Sequence, residues 1–234
     1  MGSAVQLWHT PAMSPTARPP ESSLRVDAEA NRQRILEAAR VVFAERGVDA
    51  PLDEIARRAG VGNATLYRRF PTRESLLTAT FDGLADDWAE AATSALAEPD
   101  PWLAFRKIVL AVLELQAADR GAGEVLTGMA FSDRRLDMRR VENFDVFKGI
   151  VLRAQAAGKL RRDFVPEDFA LLLMANAGVV RVMSATSTTA WRRFAAVFLD
   201  GCRQEAAGEL PKPPSPARVV GALRRQAEGR ATRS

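Results

Sequence analysis

The stretch Leu52-Asp-Glu-Ile-Ala-Arg-Arg-Ala-Gly-Val-Gly-Asn-Ala-Thr-Leu-Tyr-Arg-Arg-Phe70 decides the fold. Leu52, Ile55, Ala56 and Ala59 share one face at helical spacing, and Gly60 closes that helix. Leu66 and Phe70 sit on a second short helix, which stops at Pro71. Between them Gly60-Val61-Gly62 leaves a turn of three residues. Ala56 is small where the second helix must cross closely, and Val61 and Leu66 would pin turn and helix to a core. This spacing predicts a helix-turn-helix, whose second helix can lie in the major groove of DNA.

Helical spacing continues in both directions. Upstream, Ile35, Ala38, Ala39, Val42 and Phe43 form a stripe closed by Gly47, which completes a three-helix head. Downstream, Thr72 predicts an N-cap for one long helix carrying Leu77, Phe81, Leu84 and Trp88 to about Ala97. Asp100-Pro101 restarts a helix with Phe105, Ile108, Val109, Val112 and Leu113 inward, ending near Gly121. Ser132 is the expected cap of another, with Val141, Phe144, Val151 and Leu152, ending at Gly158. Pro166 opens a helix to Met183, and the last runs from Thr188 to Ala207. No strand-length alternation bounded by hairpin turns is present. The expected fold class is all-α. Four segments follow: a flexible leader at 1–26, the helix-turn-helix domain at 27–75, a helical domain at 76–210, and a loose, Pro-rich basic tail at 211–234.

Composition narrows the functions. The chain has 234 residues, 47% of them apolar, which is enough for a sizeable core. Its longest uncharged apolar run, Phe169 to Val180, is far short of the roughly 20 residues of a spanning helix. No secretory signal is visible, so the expectation is a cytoplasmic protein without membrane contact. One cysteine, Cys202, and one histidine, His9, exclude a His/Cys zinc site and a histidine-based nucleophilic machine in the body of the chain. We therefore expect no enzyme, no cofactor and no metal. The net charge of +4 divides as +2 over residues 1–75, −3 over 76–210 and +5 over 211–234. Overall basicity thus says little about nucleic acid. Local arrangement says more: Arg57, Arg58, Arg68, Arg69 and Arg73 fall between Ile55 and Arg73 with no acid among them.

The predicted second helix of the motif carries Asn63, Ala64, Thr65, Tyr67, Arg68 and Arg69. Arginine can donate two hydrogen bonds to guanine and asparagine can pair with adenine. Threonine, tyrosine and a free helix N-terminus suit phosphates. A helical hairpin with a solvated arginine face would show the same residues.

Residues 31–81 resemble the N-terminal domain of tetracycline-repressor-type (TetR family) regulators. The resemblance runs through Ile35-Leu-Glu-Ala-Ala39, Phe43-Ala-Glu-Arg-Gly47, Ile55-Ala-Arg-Arg-Ala-Gly-Val61, Thr65-Leu-Tyr-Arg-Arg-Phe70 and Arg73-Glu-Ser-Leu-Leu77. It implies a homodimer on a near-palindromic double-stranded DNA operator, with a ligand-binding C-terminal domain and repression released by the ligand. It also implies base contacts at Asn63, Ala64 and Arg68, and phosphate contacts at Thr65, Tyr67, Arg69 and Arg73. The sequence departs from the family at Ala50-Pro51-Leu52, which lacks the usual phosphate-holding Thr or Ser, and at Asp53, where some members place a base-reading Arg. The alternatives are an enzyme, which lacks a paired nucleophile and base here, and a non-specific nucleic-acid binder that uses arginine only as charge.

In the C-terminal half, Gly158-Lys-Leu-Arg-Arg-Asp163 with Pro166-Glu-Asp-Phe169 resembles the SbtR-like C-terminal class. The family resemblance places the dimer interface on the last two helices, where Trp191, Phe194, Ala195, Phe198, Leu199 and Cys202 keep one apolar face. An intramolecular core would give the same pattern. Trp102, Phe105, Met129, Phe131, Phe144, Phe147 and Met174 are the candidate walls of a ligand cavity, each of which plain core would also explain, and Asn176 is either its polar handle or a bond across the dimer. These walls and the scarcity of histidine point to a small apolar ligand bound without metal.

Overall fold

Gly47 and Gly60 sit at φ 83° and 66°, the left-handed region that a side chain disfavours, and each ends a helix by turning the chain back on it. The computed structural model describes residues 21–127, 134–183, 185–206 and 208–231. The helices are α1 (Glu21–Arg46), α2 (Leu52–Ala59), α3 (Asn63–Arg69), α4 (Arg73–Thr80), α5 (Leu84–Leu96), α6 (Pro101–Ala118), α7 (Arg120–Leu126), α8 (Arg134–Ala156), α9 (Pro166–Met183), α10 (Ala190–Gly201) and α11 (Pro216–Ala231). The fold is all-α. No helix among the described residues is long and apolar enough to cross a membrane.

Two apolar clusters organise these helices. The first gathers Ile35, Ala39, Phe43, Ile55, Leu66 and Phe70 with Leu76, Leu77 and Phe81, and it also takes Ala122 and Val125 from α7. The second packs Trp88, Phe105, Ile108, Phe147, Phe169 and Leu199 from α5, α6, α8, α9 and α10. Aromatic pairs fix its centre: Phe147 stacks on Phe169 at 4.3 Å, and Phe105 meets Phe164 edge-on at 5.3 Å. Leu126 packs against both clusters. The head therefore extends past the expected boundary at residue 75, and it includes α4 and part of α7.

Several elements differ from the reading of the sequence. The expected single helix from Thr72 to Ala97 breaks at Phe81-Asp82-Gly83 into α4 and α5. Gly83 costs a helix interior about 1 kcal/mol relative to Ala, and the break lets Phe81 and Leu84 pack into the head while Trp88 serves the body. The Thr72 cap is present, its hydroxyl accepting from the Ser75 N–H at 3.1 Å. Helix α6 stops at Ala118, and Asp119 caps a separate helix, α7, which the sequence did not reveal. Gly121 and Gly123 lie inside α7. A Cβ at Gly121 would come within 2.7 Å of the Phe81 ring and 2.9 Å of Phe43 Cβ. Gly121 serves close packing of α7 on α1 and Phe81, and Gly123 its packing on the Gln116 backbone of α6.

At the ends, helix α1 already begins at Glu21, inside the expected leader, and residues 1–20, including His9, lie outside the described residues. The tail read as loose holds α11, started by Pro216 in its first turn and seated by buried Val219. Ser132 lies outside the described residues. The last long helix is shorter than expected, Ala190–Gly201, followed by a 3₁₀ turn at Gln204–Ala206.

The Gly158–Asp163 segment is a staple. Gln155 Nε2 donates to the carbonyls of Arg161, Arg162 and Phe164 at 3.1, 3.2 and 2.9 Å. Buried Arg161 pairs with Asp163 and donates to the carbonyls of Gly201 and Gly208 at 3.1 and 2.6 Å. Its hydrogen bond holds the Asp163 carboxyl below the usual range. Nearby, Cys202 is buried, and burial first, with the Asp168 charge adding, pushes its thiol up to about 12. The thiol is neutral at any pH near neutrality, so its contribution to stability is complete below about 8.5 and fades as pH rises toward 12. In the native protein at about pH 8, an aromatic disulfide reagent should label Cys202 at least about 10²-fold more slowly than in guanidinium. Rapid stoichiometric labelling of the native form would refute the buried placement.

Candidate nucleic-acid interface and cavity

The turn of the motif is closed by backbone alone. Val61 N–H donates to the Ala56 carbonyl at 3.0 Å and Gly60 N–H to the Arg57 carbonyl at 3.2 Å. Gly62 stands at the N-cap of α3, its carbonyl accepting from Thr65 and Leu66 at 2.9 and 3.1 Å. Leu66 and Phe70 are buried, one turn apart, and fix the rotation of α3. The opposite face then carries Asn63, Ala64, Tyr67 and Arg68 into solvent, with Tyr67 50% exposed and Thr65 half-buried at the edge. A seven-residue helix on two apolar anchors thus presents Asn, Thr, Tyr and Arg on one outward face.

The arginines do not act alike. Arg58 pairs with Glu45 at 3.2 Å and Arg57 faces Glu54 at 3.9 Å, both at the surface. Arg69, expected on phosphate, donates to the Ala28 carbonyl of α1 at 2.8 Å. Arg73, likewise expected on phosphate, is half-buried, and its Nη1 donates to the carbonyls of Val48 and Ala50 at 2.9 and 2.6 Å. That places Arg73 as a brace of the turn between α1 and α2. Among the described residues, Arg68 is the α3 arginine with no hydrogen bond or ion pair inside the chain. Exposed Asp53 lies on α2, at the edge of the same surface.

A cavity of about 200 Å³ lies where the head meets the body. It is lined by Phe81, Leu84, Ala85 and Trp88, by Val125 and Leu126 of α7, and by Phe144, Phe147, Phe169 and Leu173. Among the described lining residues Asn143 supplies the polar side chain. Of the expected walls, Phe144 and Phe147 stand on it. Trp102 instead borders a separate groove between α6 and α10, with Arg203 stacked over its ring at 4.5 Å. Phe105 is closed into the core between Trp102, Phe147 and Phe164. Met174 faces a groove beside α1 and α7. Asn176 is fully buried and donates to Gln116 Oε1 at 3.0 Å, bolting α9 to α6. Met129 and Phe131 lie outside the described residues. Sequence spacing missed Phe81, Trp88 and Phe169, because aromatic residues at helical spacing look alike whether they face a cavity or a packed core.

The profile of the family described as "Bacterial regulatory proteins, tetR family" matches residues 35–80, which span the head. An HTH-type transcriptional regulator of Staphylococcus aureus is 44% identical over 54 residues, covering 23% of this chain and 29% of that protein. A TetR transcriptional regulator of Streptomyces coelicolor with a solved structure is 32% identical, covering 74% of this chain and 98% of the other, with a TM-score of 0.47. The chain belongs to the TetR family. A ketosteroid transcriptional regulator of Mycobacterium tuberculosis, 19% identical with a TM-score of 0.54, covers 74% of this chain and 94% of the other and shares the fold.

In this TetR-family chain the stripe expected at a dimer interface is divided between the protomer's own core and its surface. Trp191, Ala195, Leu199 and Cys202 are buried within the protomer's own core, and Phe194 and Phe198 lean partly on it. Periodicity defined the stripe but could not say against what it packs. A second stripe lies outside it. On α9, Leu171, Ala175 and Val182 are exposed with Gly178 half-buried among them, and on α10, exposed Val197 follows half-buried Ala190 and Phe194. Val182 and Val197 are 70% and 65% exposed, which is high for β-branched apolar residues.

The two recognition-end arginines should separate by stability. Arg73→Ala leaves two partly buried carbonyls without their partner and should cost about 1–3 kcal/mol. Arg68→Ala removes an exposed, unpaired guanidinium and should stay within about 0.5 kcal/mol. Chemical denaturation of both variants checks this, and equal losses would refute the brace.

Proposed function

We propose that this chain is a sequence-specific DNA-binding transcriptional regulator, a cytoplasmic repressor released from its operator by a small apolar ligand. The observation that carries the reading is the rotation of α3. Buried Leu66 and Phe70 turn Asn63, Ala64, Tyr67 and Arg68 outward together, on a helix short enough to enter a major groove end-on. Asn63, Ala64 and Arg68 read bases in this proposal, while Thr65 and Tyr67 hold phosphate. Arg69 and Arg73 position the head. Family membership and the matched relatives' printed role as transcriptional regulators support the same reading.

One head covers only a few base pairs, so useful specificity needs two heads at fixed spacing on a near-palindrome. The outer stripe of Leu171, Ala175, Gly178 and Val182 with Ala190, Phe194 and Val197 is the proposed dimer face. Its small residues allow close helix approach. The ligand belongs to the cavity between head and body. Walls of Phe, Trp, Leu and Val with one amide suit a neutral, mainly apolar molecule carrying a single hydrogen-bonding group near Asn143.

Selection from a pool of random duplexes tests the function. A near-palindromic site should emerge and be bound at least about 10³-fold more tightly than scrambled duplex. Near-equal affinities would leave only a non-specific binder. On the selected site Arg68→Ala should cost about 1–3 kcal/mol and relax one position per half-site. Val197→Asp should yield monomers in sedimentation and weaken the full site while leaving the melting temperature of the protomer nearly unchanged. Intact dimers would place the interface elsewhere.

A further inference from the structure

The turn from Gly47 to Ala50 joins α1 to α2, and two helices grip it. Arg73 of α4 holds its carbonyls. From α7, Glu124 Oε2 accepts the Val48 N–H at 3.0 Å, across 76 residues of sequence, in a buried setting. The carboxylate lies so close over Gly47 that a Cβ there would sit 2.8 and 2.9 Å from its two oxygens. Gly47 is thus required both by its φ of 83° and by the space Glu124 takes. Arg120 Nε reaches the other side of the carboxylate at 3.3 Å. The next two residues of the same helix, Val125 and Leu126, line the cavity. Gly121 lies so near Phe43 and Phe81 that an added Cβ would clash with both, which ties α7 closely to α1.

We propose that Glu124 is the positioning residue through which occupancy of the cavity reaches the reading head. This rests on the reading of the cavity as the ligand site. A guest that presses on Val125 and Leu126 displaces α7. Glu124, one residue away, pulls on the Val48 amide, straining and more often opening their hydrogen bond as it drags the turn, and α2 and α3 tilt against the body. In a dimer whose heads must match two half-sites, a small tilt changes head spacing. The guest shifts the equilibrium only as far as it prefers the displaced form.

A side chain can stand in for the unidentified ligand. Ala170 lines the cavity, and Ala170→Phe places a permanent apolar guest in it. Amide hydrogen exchange at Val48 reads the latch without DNA, and affinity for the selected duplex reads the consequence. In the parent background Ala170→Phe should speed Val48 exchange about tenfold and weaken duplex binding about tenfold. With Glu124→Ala the amide should exchange fast already, and Ala170→Phe should then change either quantity less than about twofold. Glu124→Gln keeps an acceptor oxygen and should restore the response. This non-additivity is the signature of coupling. Equal effects of Ala170→Phe with and without Glu124 would overturn the proposal, as would an unmoved Val48 amide in the parent. Should Ala170→Phe fail to fold by circular dichroism, the smaller filler Ala85→Leu, at another lining position, replaces it. A failure to select any duplex would defeat the DNA-binding reading, while the exchange arms still judge the latch.

Discussion

A buried turn must find partners for its peptide groups, and the turn from Gly47 to Ala50 finds them on two different helices. Its carbonyls are held by Arg73 and one of its amides by Glu124. Neither residue belongs to the helix-turn-helix, yet both set where α2 begins and so where α3 points. The orientation of the outward face of α3 is therefore fixed by satisfaction of backbone groups some distance away. This is why the head cannot be cut from the body at the end of α3. Leu76, Leu77, Phe81, Ala122 and Val125 close its core from outside the three helices.

The head was the legible part of the sequence, for a physical reason. The helices of the motif itself are short, its turns need glycine at Gly47 and Gly60, and most of its core, from Ile35 to Leu84, is made of residues close in sequence. Local rules therefore determine most of it. Element boundaries farther on were less legible. The break at Asp82-Gly83 interrupts an apolar stripe that reads equally well as one long helix, and only the destination of Leu84, packed in the head, explains it. Helix α7 was hidden because glycine inside a helix reads as a stop. Gly121 is present there because the Phe43 and Phe81 side chains leave no room for a Cβ, a constraint that exists only between helices.

Individual roles were harder to read than element types. Arg68, Arg69 and Arg73 share one chemistry and lie within six positions, but one is free, one anchors α1 and one braces a turn. Only the carbonyls brought near them by folding tell them apart. The same holds for the α10 stripe. A helix with apolar residues on most of its circumference has a buried side and a partner side, and the 3.6-residue period marks both without ranking them. Trp191, Ala195 and Leu199 went to the protomer core, and the outer side keeps exposed Val197 with half-buried Ala190 and Phe194.

The placement of the cavity follows from the same economy of contacts. Phe81 and Leu84 pack in the head core and also wall the cavity, and Leu126 packs against both clusters. Each of these side chains has one face on packed neighbours and one on open space. Cores are close-packed and respond to added volume by discrete repacking more than by gradual compression. A guest at this junction must therefore either fit the existing space or move residues that also hold the head. A cavity buried wholly within the second cluster, around Phe105 and Ile108, would have only body residues to move. The break between α4 and α5 puts residues shared with the head at the wall, and under the proposed coupling this irregularity in the long helix is what gives the cavity purchase on the head.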